Sequence, residues 1–221
     1  MSKVLVVAAH PDDEVLGCGA TIAKHSSEGD DVFIVFLADG ESSRGNSENL
    51  QKRENASQKA AQVLGALIHK SLKLPDNKMD SVPLLEIIKE LESIIGNLKP
   101  EIIYTHHHAD LNIDHRLAHD AVLTTCRPQP GFSVKRILFW ETPSSTEWQT
   151  ATQHNSFIPN WYVDITKYLD RKMKALEAYD DEMRQWPHSR SYKAVKSLNQ
   201  WRGASIGVEA AEAFMLGRNI I

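Results

Sequence analysis

The feature that most constrains this chain is the run Val4-Leu5-Val6-Val7-Ala8-Ala9, six consecutive apolar residues that leave neither face of a strand for solvent. A strand apolar on both faces belongs inside a parallel sheet covered by helices, and such sheets bind ligands beyond the carboxyl ends of their strands. Directly after the run come His10, Pro11, Asp12, Asp13 and Glu14. Pro11 halts the strand, and the three carboxylates open a helix expected over residues 15–28, where the positive end of the helix dipole suits them. Capping alone would account for the acids and contribute about 1 kcal/mol. His10 adds what a cap does not need. With Asp13 three residues on, it offers a nitrogen and an oxygen donor, a pair suited to Zn²⁺ better than to Mg²⁺ or Ca²⁺.

A catalytic zinc needs a third protein ligand. The segment Thr105–His119 is the place to look: it contains His106, His107, His108, Asp110, Asp114, His115 and His119. It follows a second apolar strand, expected over Glu101–Thr105, and leads into a helix expected over 115–126. Two parallel strands would then aim their polar ends at one cleft.

The remaining strands are expected at Lys3–Ala9, Asp31–Ala38, Ser71–Leu74, Lys135–Trp140 and Trp161–Ile165, alternating with helices over 47–65 and 82–97. Helices over 166–184 and 190–200 make a helical C-terminal portion. The order predicts an α/β fold, a Rossmann-like open, mostly parallel sheet flanked by helices. With 221 residues, 42% of them hydrophobic, the chain is expected to form a single domain over 1–221. The stretch Pro143–Asn160 reads as a long loop, the length of a binding lid.

A net charge of −4 and a pI near 6.2 argue against a broad nucleic-acid-binding face. No apolar run is long enough to span a bilayer, and Met-Ser-Lys leads straight into a core strand, so a cytoplasmic protein is expected. Cys18 and Cys126 lack metal-type spacing and read as buried free thiols.

The motifs Ala9-His10-Pro11-Asp12-Asp13-Glu14, Gly17-Cys18-Gly19, Asp39-Gly40-Glu41 and Asp114-His115-Arg116 resemble those of the PIG-L/LmbE family of zinc-dependent de-N-acetylases. Further similarity at Arg53-Glu54, Leu74-Pro75-Asp76-Asn77, His188, Arg202-Gly203 and Ala211-Glu212-Ala213-Phe214 extends the resemblance over nearly the whole chain. It implies one zinc ion held by His10, Asp13 and His115, with Asp12 as general base and Asp114 behind the ligands; Glu14 is then a candidate either to orient a ligand or to close the helix N-terminus. Chemistry supports the division: three protein ligands leave room for water, and a separate carboxylate can take its proton. Because His/Asp ligation is shared by several metals, another divalent ion stays open.

One departure stands out. Where many family members carry a histidine three residues before the third ligand to stabilise the oxyanion, this chain has Asn112. Asn112 could donate from its amide, or His106, His107, His108 or His188 could supply the contact; family members with a late histidine near the metal favour His188. Arg44, in a loop of hydroxyl and charged groups after the second strand, is the candidate for binding a sugar hydroxyl or a phosphate. The implied activity is hydrolysis of an N-acetylglucosamine-type sugar or conjugate, with a small amino-sugar substrate and a homo-oligomer as partners. The alternative is a Rossmann-like nucleotide- or sugar-binding module without hydrolysis, for which Gly17-Cys18-Gly19 is a poor fingerprint, since it lacks the third spaced glycine.

Overall fold

The computed structural model describes residues 1–44 and 47–221, with the side chains of Arg44, Ser47 and Glu48 also outside the description. Seven strands, β1 (Lys3–Ala8), β2 (Asp31–Ala38), β3 (Leu67–Leu74), β4 (Ile102–His106), β5 (Arg136–Trp140), β6 (Trp161–Asp164) and β7 (Ala211–Asn219), form one sheet in the order β3-β2-β1-β4-β5-β7-β6. β1 through β5 pair in parallel, while β7 runs antiparallel between β5 and β6. The order turns back on itself at β1 and β4, the switch point where a crevice opens beyond the strand ends. Both histidine-bearing segments leave the sheet there.

Six helices cover the faces: α1 (Asp13–Ser27), α2 (Ser47–Leu64), α3 (Leu84–Leu98), α4 (Ile113–Thr125), α5 (Leu169–Leu176) and α6 (Tyr192–Ala204). Alternation along β1 divides the core. Val4, Val6 and Ala8 pack with Ile22, Leu64 and Leu176 of α1, α2 and α5, whereas Leu5, Val7 and Ala9 pack with Ile87, Leu91 and Val122 of α3 and α4. Each fully buried Val or Leu contributes about 1.5–3 kcal/mol. The loop after β1 therefore springs from the most firmly anchored strand.

α1 is broken at Cys18, whose φ of −144° and ψ of 24° are not helical. A buried ion pair occupies the break: Lys172 Nζ donates to Leu16 O at 2.9 Å and lies 2.7 Å from Glu212 Oε1. Glu212 in turn accepts from the amides of Ala20 and Thr21 at 3.1 and 2.7 Å. An ammonium thus meets a carbonyl of the first half while a carboxylate meets amides of the second, the polarity each new helix end prefers. Gly17 is required beside it, since a Cβ would lie 2.2 Å from the Trp140 ring.

Two expectations about elements change. β3 begins at Leu67 rather than Ser71, because this edge strand is mostly solvated and lacks an apolar run. The C-terminal portion is helical in α5, a 3-10 turn at Glu177–Glu182 and α6, but it ends in β7. The sequence Ala-Glu-Ala-Phe-Met-Leu favours helix by local propensity, and pairing with two strands overrides it. Among the described residues, no helix is long and apolar enough to cross a membrane.

Candidate active site

After β1 the chain turns through Pro11 into Asp12, which has φ 128°, a region costly for a residue with a side chain. The turn is held by hydrogen bonds. Val15 N and Leu16 N donate to Asp12 O at 3.1 and 2.9 Å, and Asp12 N donates to Glu14 Oε2 at 2.9 Å. Tyr179 Oη donates to Glu14 Oε1 at 2.8 Å. Glu14 therefore supports the backbone of Asp12. Burial pushes its carboxyl up to about 8, against the hydrogen bonds from Asp12 and Tyr179.

The same turn brings Asp13 between two imidazoles. Asp13 Oδ2 lies 3.2 Å from His10 Nδ1 and 3.3 Å from His115 Nε2, and all three residues are buried. Donors that bind one tetrahedral ion at ~2.0–2.2 Å stand ~3.3–3.5 Å from each other, so the spacing suits a small cation. The other ring nitrogens are held by carboxylates: His10 Nε2 lies 3.0 Å from Asp114 Oδ2, and His115 Nδ1 lies 3.0 Å from Asp110 Oδ1. Metal-ligating histidines are oriented in this way. Asp114 is fixed by the amides of Asn77 and Met79 at 2.7 and 3.1 Å, and Asp110 by Ser145 Oγ and by Thr146 Oγ1 at 2.6 Å. Asp76 Oδ1 also approaches His10 Nε2, at 3.2 Å.

Electrostatics separate the two adjacent aspartates. Burial alone would raise Asp13, but His115, His106 and hydrogen bonds to the imidazoles hold it well below the usual carboxylate range. Burial raises Asp12, although Arg53 and Arg190 pull the other way. One carboxylate is thus kept ionised and its neighbour made more basic, a division that suits a ligand beside a proton acceptor. Burial disfavours charge on His10 and His115, yet the aspartates outweigh it and lift them to about 9 and about 10. Cationic charge is favoured where the three donors meet.

A cavity of about 120 Å³ adjoins these groups, lined by His10, Asp12, Asp13, His115, Asn112 and Arg190 among others. Arg190 Nη1 donates to Asp12 Oδ2 at 3.0 Å and Arg190 Nε to Ser144 Oγ at 2.8 Å. Arg53 stands deeper, with Nη1 2.9 Å from Glu182 Oε1 and Nη2 3.8 Å from Asp12 Oδ2. Ser144 has φ 69°, a second strained residue on the cavity wall.

The other expected residues fall as follows. Asn112 caps α4, its Oδ1 accepting from Asp114 N at 2.8 Å and its Nδ2 donating to Asn77 Oδ1 at 3.1 Å. His188 packs edge-on to Trp148 at 5.5 Å, its Nδ1 accepts from Arg190 N at 3.0 Å, and the ring does not line the cavity. Arg44 ends a 3-10 turn, Ser42–Arg44, and its side chain lies outside the described residues. His106 stacks under His115 at 4.0 Å, and its Nε2 accepts from Ala9 N at 2.9 Å. His107 and His108 donate to the carbonyls of Asn155 and His154 at 3.2 and 3.0 Å, which ties the 143–160 loop to the end of β4. The sequence did not single out Asp110 and Ser144. Arg190 stands two residues after the singled-out His188, but nothing local ties it to Asp12.

The family described as PIG-L, GlcNAc-PI de-N-acetylase, matches residues 5–126. The uncharacterized deacetylase YaiS of Escherichia coli is 32% identical over 182 residues, which are 80% of this chain and 89% of that protein. Diacetylchitobiose deacetylase of Thermococcus kodakarensis is 26% identical over 82% of this chain and 70% of its own length. A 4-oxalmesaconate hydratase of Pseudomonas putida is 26% identical over 99% of this chain and 86% of its own length. The crystal structure of TT1542 from Thermus thermophilus superposes with a TM-score of 0.79 at 27% identity, covering 100% of this chain and 97% of that one.

Proposed function

The chain belongs to the PIG-L family, and from that premise we propose that it is a metal-dependent hydrolase that removes the acetyl group from an N-acetylglucosamine-type sugar or conjugate. The relatives support deacetylation of N-acetylated sugars. The observation that carries the proposal is the meeting of His10, Asp13 and His115 beside a separate carboxylate, Asp12, at the switch point of the sheet.

His10, Asp13 and His115 would hold one zinc ion. Bound there, zinc supplies a Lewis acid for the amide oxygen and lowers the pKa of water. Asp12 takes a proton from the attacking water as its oxygen joins the acyl carbon, then returns that proton to the nitrogen as the C–N bond breaks. Acetate and the amino sugar leave. Asp110 and Asp114 keep the ligand imidazoles in one tautomer, and Glu14 keeps the turn at Asp12. Asn112 on the cavity wall and Arg44 are proposed to meet the sugar. His188 acts at one remove, shaping the turn that carries Arg190. The whole of 1–221 is proposed to work as one domain.

Acetate release from free, nucleotide-linked and glycosidic N-acetylglucosamines, before and after chelation and with zinc or another divalent ion restored, tests the proposal. Acetate that appears only with metal is the expected result. Sugar binding without acetate release, or hydration of 4-oxalmesaconate in its place, overturns it.

A further inference from the structure

We propose that Arg190 is a catalytic residue that stabilises the oxyanion formed from the acetyl group, in the place of the absent histidine; this rests on the deacetylase reading. The observation behind it is that Arg190 is held on the cavity wall by Asp12 and Ser144 with a guanidinium nitrogen to spare, whereas the histidines named for the role are turned to other partners. Asn112 accepts from Asp114 N at its amide oxygen and gives one amide hydrogen to Asn77, which leaves a single hydrogen of an uncharged donor. His106 accepts from Ala9 N and lies beneath His115, while His107 and His108 point their Nε2 atoms at loop carbonyls. His188 faces Trp148. Arg53 also lines the cavity, with Nη1 on Glu182 and Nε buried without a hydrogen-bond partner among the described residues, but it stands 3.8 Å from Asp12 through Nη2 where Arg190 stands at 3.0 Å.

Arg190 remains. Its guanidinium lines the small cavity shared with His10, Asp13 and His115, so a group as compact as acetyl placed there lies within its reach. Two bonds hold it in advance, Nη1 to Asp12 and Nε to Ser144, and among the described residues no side chain accepts from Nη2. A donor fixed before reaction needs no reorganisation when charge develops. The charge balance also suits it: as Asp12 gains a proton its carboxylate loses its charge, and an equal negative charge appears on the acyl oxygen. The hold of Asp12 on Nη1 weakens at the moment the oxyanion requires a donor. A guanidinium can serve both through its fork, which a lysine ammonium cannot reproduce.

The test uses zinc-loaded wild type, Arg190→Ala and Arg190→Lys. Methylphosphonate, a tetrahedral anion with the methyl group of acetate, is titrated calorimetrically as a probe that requires no turnover. Arg190→Ala is expected to bind it at least about tenfold more weakly and to lose about 10²–10³ in kcat, the usual loss of one oxyanion donor, with KM and zinc content held within a few-fold. Added guanidinium is expected to restore part of kcat in Arg190→Ala, where sodium at equal ionic strength does not. Arg190→Lys, which keeps the charge, is expected to fall between the two. An active wild type with unchanged methylphosphonate affinity and kcat in Arg190→Ala overturns the role of Arg190. So does a loss of activity matched by loss of zinc in both variants. A wild type that releases no acetate from any sugar overturns the deacetylase reading itself, a different result from either.

Discussion

His115 engages Asp110 through Nδ1 and so keeps Nε2 for the site, while His10 meets Asp114 through one nitrogen and Asp13 through the other. Each ring orientation is fixed by a carboxylate that itself is tied down, Asp110 by hydroxyls from the 143–160 loop and Asp114 by backbone amides. Removing the charge at Asp110 leaves a weaker partner for His115, and Asp110→Asn is expected to lower zinc affinity by about 10–100-fold in competition with a chelator. Affinity equal to wild type would show that Asp110 does not tune the ligand. The adjacent aspartates are expected to separate cleanly. Asp12→Asn keeps zinc and loses about 10²–10⁴ in turnover, the range for a general base. Asp13→Ala loses zinc itself, as metal analysis after dialysis would read. Retention of full activity by Asp12→Asn would remove it as the base.

Among the elements, α1 carries the most consequence because its first turn holds both Asp13 and Glu14 and its middle is broken. Lys172 and Glu212 come from α5 and β7, so the helix that presents the site is pinned by distant parts of the chain. Both partners are 1% exposed, and removing one leaves a buried charge unpaired. Glu212→Gln is expected to cost about 3–5 kcal/mol in denaturant unfolding, with much of the loss recovered in the Lys172→Met/Glu212→Gln pair. Additive losses would show that the two do not work as a pair. This break also marks the limit of what the sequence reveals. β1, β2 and β4 were legible from apolar runs, and His10, Asp13 and His115 from their places after those runs. The link of Arg190 to Asp12 and the ion pair were not, since each joins residues far apart in the chain, and Asp110 was not, since only the folded loop turns it onto His115. β7 was hidden because its residues favour helix until the sheet supplies partners.

Across the molecule, five buried histidines, His10 and His115 on one side and His106, His107 and His119 on the other, have opposite shifts that set how stability responds to pH. His106, His107 and His119 are buried and lowered, chiefly by burial, and His107 falls to about 4. The cause at His107 is visible: Nε2 donates to Asn155 O, while Nδ1 is buried with no partner among the described residues, so a second N–H would find no acceptor there. The unfolded chain takes up that proton near pH 6.5 and the folded chain only near 4. Between those values the unfolded state binds more protons, so this stability is complete above about pH 6.5 and is lost as the pH falls toward 4. In metal-free protein, His10 and His115 carry the reverse dependence, losing their contribution as pH rises from about 6.5 through about 9 and 10. A zinc-loaded protein has exchanged those protons for the ion, which leaves the acid-side loss exposed. His107→Phe keeps a ring against Phe157, gives up one bond to Asn155, and has nothing to protonate. Its loss of stability between pH 7 and pH 5 is expected to be about 2 kcal/mol smaller than that of zinc-loaded wild type in urea unfolding. Parallel losses in the two proteins would mean that His107 is already able to take up its proton in the folded state.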